Sequence, residues 1–212
     1  MPTIYAGLIS FIVSLAWVPV AEATPVARWS IAIKGGLFAP SLSDWARQYG
    51  TSQNPIVALA FGFKLTSRLE IGMEDGYFSD EGKAITTSGR PSGTDQAFKL
   101  FPMQAYLLYH LAFYKDQALV PYLGGGYSRF TYRSAVEGGE TVKGAQEGYH
   151  LRWGLALLLD SLDVRAAQRA VHWGLINSYF FLEAQYAEVD DFGDASIDLG
   201  GWTYAGGLRY EF

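Results

Sequence analysis

Three histidines, His110, His150 and His172, are the only imidazoles in this chain, and there is no cysteine. Without thiols there is no thiolate nucleophile, no disulfide and no Cys-ligated metal. A Ser-based hydrolase needs an imidazole or similar base within hydrogen-bond reach of its hydroxyl, and no spacing in the sequence pairs the two. The charges are more informative. Lys34, Lys64, Glu70, Glu74, Arg129, Arg152, Glu183, Arg209 and Glu211, with His150, sit at alternate positions of short runs. The residues between them are mostly large and apolar. Both signs are present, which suits either a polar conduit with a proton path or a salt-bridged filling, and buried charges favour the second because they must be paired. A second cluster, Glu188, Asp190, Asp191, Asp194 and Asp198, surrounds Gly193. Converging carboxylates bind Ca²⁺, so Asp190, Asp191, Asp194 and Asp198 are candidate cation ligands, although the spacing is not that of an EF-hand. The alternative is a loop kept soluble by its charge. No cofactor is expected.

Alternation defines the elements that carry these residues. A strand sends successive side chains to opposite faces, and residues 202–212 divide cleanly. Trp202, Tyr204, Gly206, Leu208, Tyr210 and Phe212 share one face; Thr203, Ala205, Gly207, Arg209 and Glu211 share the other. Seven further runs repeat the pattern, over about 29–38, 56–65, 69–77, 98–109, 120–132, 149–159 and 180–187. Pro102 cannot donate a ladder bond, which predicts a bulge or distorted pairing near it. Asp75 falls on the apolar face of its run and is expected near a rim.

Each span is about as long as a tilted strand crossing a bilayer, roughly 9–11 residues. No window beyond the amino terminus reaches the ~18 apolar residues of a membrane helix. Residues 1–23, with an apolar 4–20 stretch and Ala21-Glu22-Ala23, read as a secretory signal, leaving 24–212 as one barrel domain. The formal net charge of −5 offers no reason to expect nucleic-acid binding. Side-chain size decides which face meets lipid. The charged face is also the Gly and Ala face, as a crowded eight-stranded interior requires, and the other carries Trp, Tyr, Phe and Leu. The predicted fold is therefore all-β: an eight-stranded antiparallel up-and-down transmembrane β-barrel. Its outer loops fall at about 39–55, 79–97, 134–148 and 188–201. Its inner connections fall at 66–68, 110–118 and 160–177. The third inner connection is too long for a turn. Asp163 as cap, the helix formers of 164–173 and Gly174 as stop predict a short periplasmic helix over 163–173, between strands six and seven. Arg165, Arg169 and His172 would form its basic stripe.

The chain resembles the small outer-membrane β-barrel family that includes the OmpA transmembrane domain, OmpX and OmpW. The resemblance covers residues 27–212 and rests on strand patterning, Pro121-Tyr122-Leu123-Gly124-Gly125-Gly126 and Gly206-Gly207-Leu208-Arg209-Tyr210-Glu211-Phe212. It implies secretion to the periplasm and insertion into the bacterial outer membrane by the barrel-assembly machinery, with Leu208, Tyr210 and Phe212 as the insertion signal. It also implies contact with outer-membrane lipid and lipopolysaccharide. The OmpW likeness adds a second functional reading, a narrow channel or transporter for a small hydrophobic molecule. Some barrels of this size modify lipid A, but the His-x-Ser-Asn motif of the deacylases follows none of the three histidines. The leading expectation is a non-enzymatic barrel with a structural or surface-interaction role through its extracellular loops.

Deleting Phe212 should lower the yield of membrane-inserted protein several-fold more than deleting Gly89 in the second outer loop, as scored by heat-modifiable migration of membrane fractions. Equal yields would remove the terminal residue from the insertion signal.

Overall fold

The computed structural model describes residues 27–42, 45–85, 91–114, 117–161, 169, 172–195 and 198–212. The expected signal segment, 1–23, lies outside them. Eight strands form a closed antiparallel barrel: β1 Trp29–Pro40, β2 Asn54–Lys64, β3 Leu69–Ile85, β4 Pro91–His110, β5 Leu119–Val136, β6 Thr141–Leu158, β7 Asn177–Val189 and β8 Gly201–Glu211. Each strand pairs with its sequence neighbours, and β8 closes on β1 from Ser30↔Glu211 to Pro40↔Gly201. The ends are stitched beyond the ladder. Phe212 donates its N–H to Trp29 O at 2.8 Å, and its carbonyl accepts from Arg28 N and Trp29 N.

The alternation holds around the wall. Trp29, Ile33, Val57, Phe61, Met73, Leu123, Leu151 and Leu182 are exposed on the outside, while Ser30, Ala32, Lys34, Glu70, Arg152 and Glu183 are buried inside. Aromatic contacts mark both edges of this apolar belt. Trp29 meets Phe63 near one edge; Tyr77 meets Phe101, and Trp202 meets both Tyr186 and Trp153, toward the other.

Connections at the two ends differ. At one end Thr66 Oγ1 accepts from the backbone N–H groups of Arg68 and Leu69, fastening a tight turn. At the opposite end two expected loops are mostly sheet. β3 to β6 run 17 to 20 residues against 11 for β2 and β8. The hairpins β3–β4 and β5–β6 therefore continue past the apolar belt as ribbons. Segments 79–97 and 134–148 belong to these ribbons rather than to loops, apart from the turn 137–140 and from 86–90, which lies outside the described residues. The sequence signal is weak there because toward its tip a ribbon has water on both faces and keeps no apolar side: residues 79–83 and 134–143 are all half-buried or exposed.

Pro102 distorts the pairing as expected, without a bulge: Asp75↔Met103 and Phe78↔Leu100 keep one register, and the β3–β4 pairing lapses between them. The register shift occurs higher, between Lys83 and Ile85. The α-helix of the described residues, α1 (Trp45–Tyr49), lies between β1 and β2, not between β6 and β7. Most of the helix expected over 163–173 lies outside the described residues. Within it Arg169 is helical and exposed, and His172 and Trp173 form a turn with Gly174.

α1 caps the ribbon end. Trp45 stacks on Tyr49 with centroids 4.1 Å apart and meets Phe98 edge-on at 5.2 Å. Phe38, Phe78, Leu100, Phe130 and Val189 complete this buried cluster inside the mouth. Burying such side chains is worth about 1.5–3 kcal/mol each, which offsets the entropy of holding a five-residue helix that could not persist alone.

Replacing Phe78 with Ala should lower unfolding stability by about 3–5 kcal/mol, measured by urea unfolding in detergent micelles. Phe61→Ala on the outer wall should cost clearly less, because surrounding lipid or detergent fills the space.

Candidate functional site: a charge network in the lumen

Below the aromatic cap the lumen is filled by ionised side chains in two layers. The layer nearer the cap holds Lys34, Glu74, Arg152 and Glu183. Lys34 Nζ lies 2.9 Å from Glu74 and 2.5 Å from Glu183; Arg152 Nη1 lies 2.7 Å from Glu74 and 3.8 Å from Glu183. The layer nearer the turns holds Lys64, Glu70, Arg209 and Glu211. Arg209 Nη2 lies 3.2 Å from Glu70, and Lys64 Nζ lies 2.6 Å from Glu211. Each layer has two cations and two carboxylates, so neither carries net charge while His110 and His150 are neutral. Asn177 donates to Glu211, Ser30 donates to Glu70, and His110 Nε2 meets Glu70 at 3.1 Å.

Two tyrosines join the layers reciprocally. Tyr106 donates its hydroxyl to Glu70 at 3.3 Å, while its ring lies 4.9 Å from the Arg152 guanidinium. Tyr122 donates to Glu183 at 3.0 Å, while its ring lies 5.7 Å from the Arg209 guanidinium. Each tyrosine thus hydrogen-bonds a carboxylate in one layer and offers a π-face to a cation of the other. The sheet makes room for them. Gly72 is the register partner of Tyr106 and Gly154 of Tyr122. A Cβ at either glycine would lie 2.4 Å from the opposing ring, so only glycine fits beneath these tyrosines.

Arg152 also fixes a Ser–His pair inside the barrel. Its Nη2 donates to Gln104 Oε1 at 2.8 Å and lies 3.2 Å from His150 Nε2. Arginine cannot accept, so His150 Nε2 is the acceptor and its proton resides on Nδ1. That Nδ1 faces Ser128 Oγ at 2.8 Å, and Gln104 Nε2 also donates to Ser128 at 3.1 Å. The serine oxygen therefore receives protons from both sides and has no base to take its own. Ser128 is fully buried and His150 is 1 % exposed, leaving no path for an ester or acyl chain. The pair is structural.

The lumen holds every expected member of the charge set except one. Arg129 faces outward, 3.4 Å from Glu147, with half its side chain exposed. Phe130 takes the inward position. This is a correction with a clear cause: above the apolar belt the outside is polar and the inside is the aromatic cluster, so charge no longer marks the inner face. Gln104, Tyr106, Tyr122 and Ser128 are not assigned to the lumen network from the sequence, and neither is His110, which falls at the edge of an inner connection there. Extending the even-numbered face of β4 from Gln104 would have reached His110. The bulk of the tyrosines gave no such signal.

In the acidic segment the carboxylates of Asp190, Asp191 and Asp198 are engaged by backbone donors. Asp190 Oδ1 accepts from Gly193 N, Asp191 Oδ1 accepts from Glu147 N, and Asp198 Oδ1 accepts from Val189 N and Gly200 N. Asp194 donates its own N–H to Asp191 O in the 3-10 turn. Among the described residues no group of three acidic or histidine side chains is arranged to hold a metal. The carboxylates instead hold an irregular loop in which Asp191 and Phe192 both adopt positive φ. Leu208, Tyr210 and Phe212 lie on the outward face of the closing strand, and Phe212 is exposed.

No protein-family model and no curated protein matches the sequence. Solved structures do match. OprG of Pseudomonas aeruginosa aligns at TM-score 0.62 and 15 % identity, covering 88 % of this chain and 96 % of its own. Neisserial surface protein A aligns at 0.58 and 14 %, covering 87 % and 97 %. The amino-terminal barrel of Pseudomonas aeruginosa OprF aligns at 0.51 and 11 %, covering 88 % and 98 %. The chain has the fold of the small outer-membrane β-barrels. At such identities the likeness is one of architecture, and the transmembrane barrel's own side chains must carry any argument about activity.

Arg152→Ala should destabilise the barrel by about 3–5 kcal/mol, because Glu74 and Glu183 remain buried with Lys34 alone between them. Pairing Arg152→Met with Glu74→Gln should recover part of that loss. Both are read from urea unfolding followed by tryptophan fluorescence.

Proposed function

We propose that this protein is a non-enzymatic barrel of the bacterial outer membrane whose lumen is closed and whose work is done by its ribbon end. The observation that carries this reading is the filling of the lumen. Two neutral ionic layers and an aromatic cap occupy the bore in succession. The void between the upper layer and the cap, beside Lys34, Gln104, Gln185 and Thr203, measures about 20 Å³, room for about one water. A solute path would require breaking several buried ion pairs together. The fold likeness supports the membrane setting, and the apolar belt between aromatic edges supports it independently.

With the tight turns on the periplasmic side, the ribbons β3–β4 and β5–β6 project outside the cell. They are well-paired sheet rather than slack loop, so they present a defined surface. Loops and their equivalents on a rigid scaffold are where binding residues concentrate. Transport of a small hydrophobic molecule through the bore is the weaker reading, because the ionic layers are among the least apolar surroundings in the protein. Lipid A modification is weaker still, since the buried Ser128–His150 pair has its tautomer set against catalysis.

The purified barrel in planar bilayers should show no steady ion conductance, and lipid A from overexpressing cells should keep its parental mass. A stable open channel would overturn the closed-lumen reading; an altered lipid A would overturn the non-enzymatic one.

A further inference from the structure

Beyond the apolar belt, three cations stand side by side on the outer wall, Lys99 at its edge and the other two higher. The register sets Lys99 on β4 opposite Arg133 on β5, and Arg133 opposite Lys143 on β6. Ser79 on β3 continues the row. All three cations are exposed, and their neighbours show that they point outward. Phe98 and Leu100 beside Lys99 are buried in the mouth. Tyr132 packs on the inner aromatic cluster, and Ser134 is hydrogen-bonded by Gln96. Gly144, beside Lys143, lies against the Tyr132 ring.

Like charges placed directly opposite in adjacent strands destabilise a sheet, yet here two such pairs share one arginine. The neighbouring carboxylates do not relieve them. Asp95 is engaged by Lys83 and Glu147 by Arg129. Glu81, diagonal to Lys99 across the β3–β4 ladder, makes no ion pair with it. Among the described residues none of the three cations has an anionic partner. An anion from outside the chain would relieve this repulsion.

Height says what that anion is. The outward residues of β4 run Tyr109, Leu107, Ala105, Met103, Phe101, and then Lys99. At about 3.4 Å per residue and a strand tilt near 40°, Tyr109 to Phe101 rises about 20 Å, close to the whole apolar belt. Lys99 is the first side chain beyond it. Arg133 and Lys143 lie six residues beyond the outward aromatics Tyr127 and Tyr149 of their strands, about 15 Å higher. The row therefore climbs through the layer occupied by lipid headgroups and their sugars, below the ribbon tips that a soluble partner would meet first.

We propose that Lys99, Arg133 and Lys143 form a phosphate-binding ridge that holds the phosphorylated headgroup of an outer-leaflet glycolipid. Arg133 at the centre presents a planar fork that takes phosphate oxygens bidentately, and the flanking lysines act as point charges. Ser79 adds a hydroxyl at the lower end. The ridge would lock the β3–β4 and β5–β6 ribbons to the lipid surface and offset the repulsion built into their pairing. This deepens the surface-interaction reading and rests on the ribbon end facing the outer leaflet.

The test compares the parent with the triple variant Lys99→Gln, Arg133→Gln, Lys143→Gln, both in phosphatidylcholine nanodiscs. The probes are purified lipopolysaccharide, the same material stripped of phosphate by hydrofluoric acid, and heparin. The parent should bind the phosphorylated glycolipid, more weakly as salt rises. Each cation near an anionic surface is worth about 1 kcal/mol, or about fivefold in affinity, so the triple variant should bind roughly a hundredfold more weakly. Melting provides a readout that a folding defect would not mimic. Without glycolipid the variant should melt at or above the parent, since repulsion is relieved; with it, only the parent should gain. Equal binding of the dephosphorylated glycolipid, unchanged binding by the variant, or binding of heparin without glycolipid would each overturn the proposal. Closure of the lumen is read separately by conductance, so the two readings fail independently.

Discussion

A charge enclosed by an eight-stranded wall has no bulk water to return to, and the rest of this barrel follows from that. The interior of such a barrel is only just wide enough for its side chains. Lys34 and Arg152 therefore meet Glu74 and Glu183, and Lys64 and Arg209 meet Glu70 and Glu211, in layers that each sum to zero. The hydroxyls of Tyr106 and Tyr122 take up carboxylate lone pairs, while their rings cover guanidinium faces. Glycines 72 and 154 exist opposite them because the sheet must surrender volume wherever a tyrosine lies across the bore. Satisfied networks of this kind rigidify a core, and half-satisfied ones are costly.

The medium outside the wall changes along the barrel axis, and with it the meaning of alternation. Along the belt, charge marks the inside because lipid excludes it. Past the belt the outside is wet, so Arg129 and Arg133 turn outward while Phe130 and Tyr132 turn in. The inward aromatics then need a partner of their own, which α1 supplies through Trp45 and Tyr49. A polar lumen and an apolar mouth are thus consecutive answers to one question of solvent.

The proposed function lies on the surface that the packing leaves unused. The Ser–His pair is committed to Arg152 and Gln104, and the acidic loop is committed to its own backbone. What remains uncompensated is on the outer wall of the ribbons, where Lys99, Arg133 and Lys143 oppose one another. On the proposed reading, a closed bore and an outward row of cations belong together, because both leave contacts to the outer surface.

Much of this was legible in the residue order. Strict alternation from Trp202 to Phe212, small residues on the charged face and the length of each run specified the barrel, its inside and most of the lumen charges, because those patterns follow from the two-residue period of a strand. Other features were not legible. The ribbons carry no strand signature, since with water on both faces toward their tips they lack the apolar alternation that identifies a strand. Arg129 was placed inside by the same rule. The reciprocal tyrosines, the tautomer of His150 and the row of cations depend on which residues stand opposite across strands dozens of positions apart. The sequence by itself determined faces and periods, which are local properties of one strand. Only the tertiary structure decided partners, because cross-strand register is set by how all eight strands close together, and pairing energies act between neighbours that the chain order does not name.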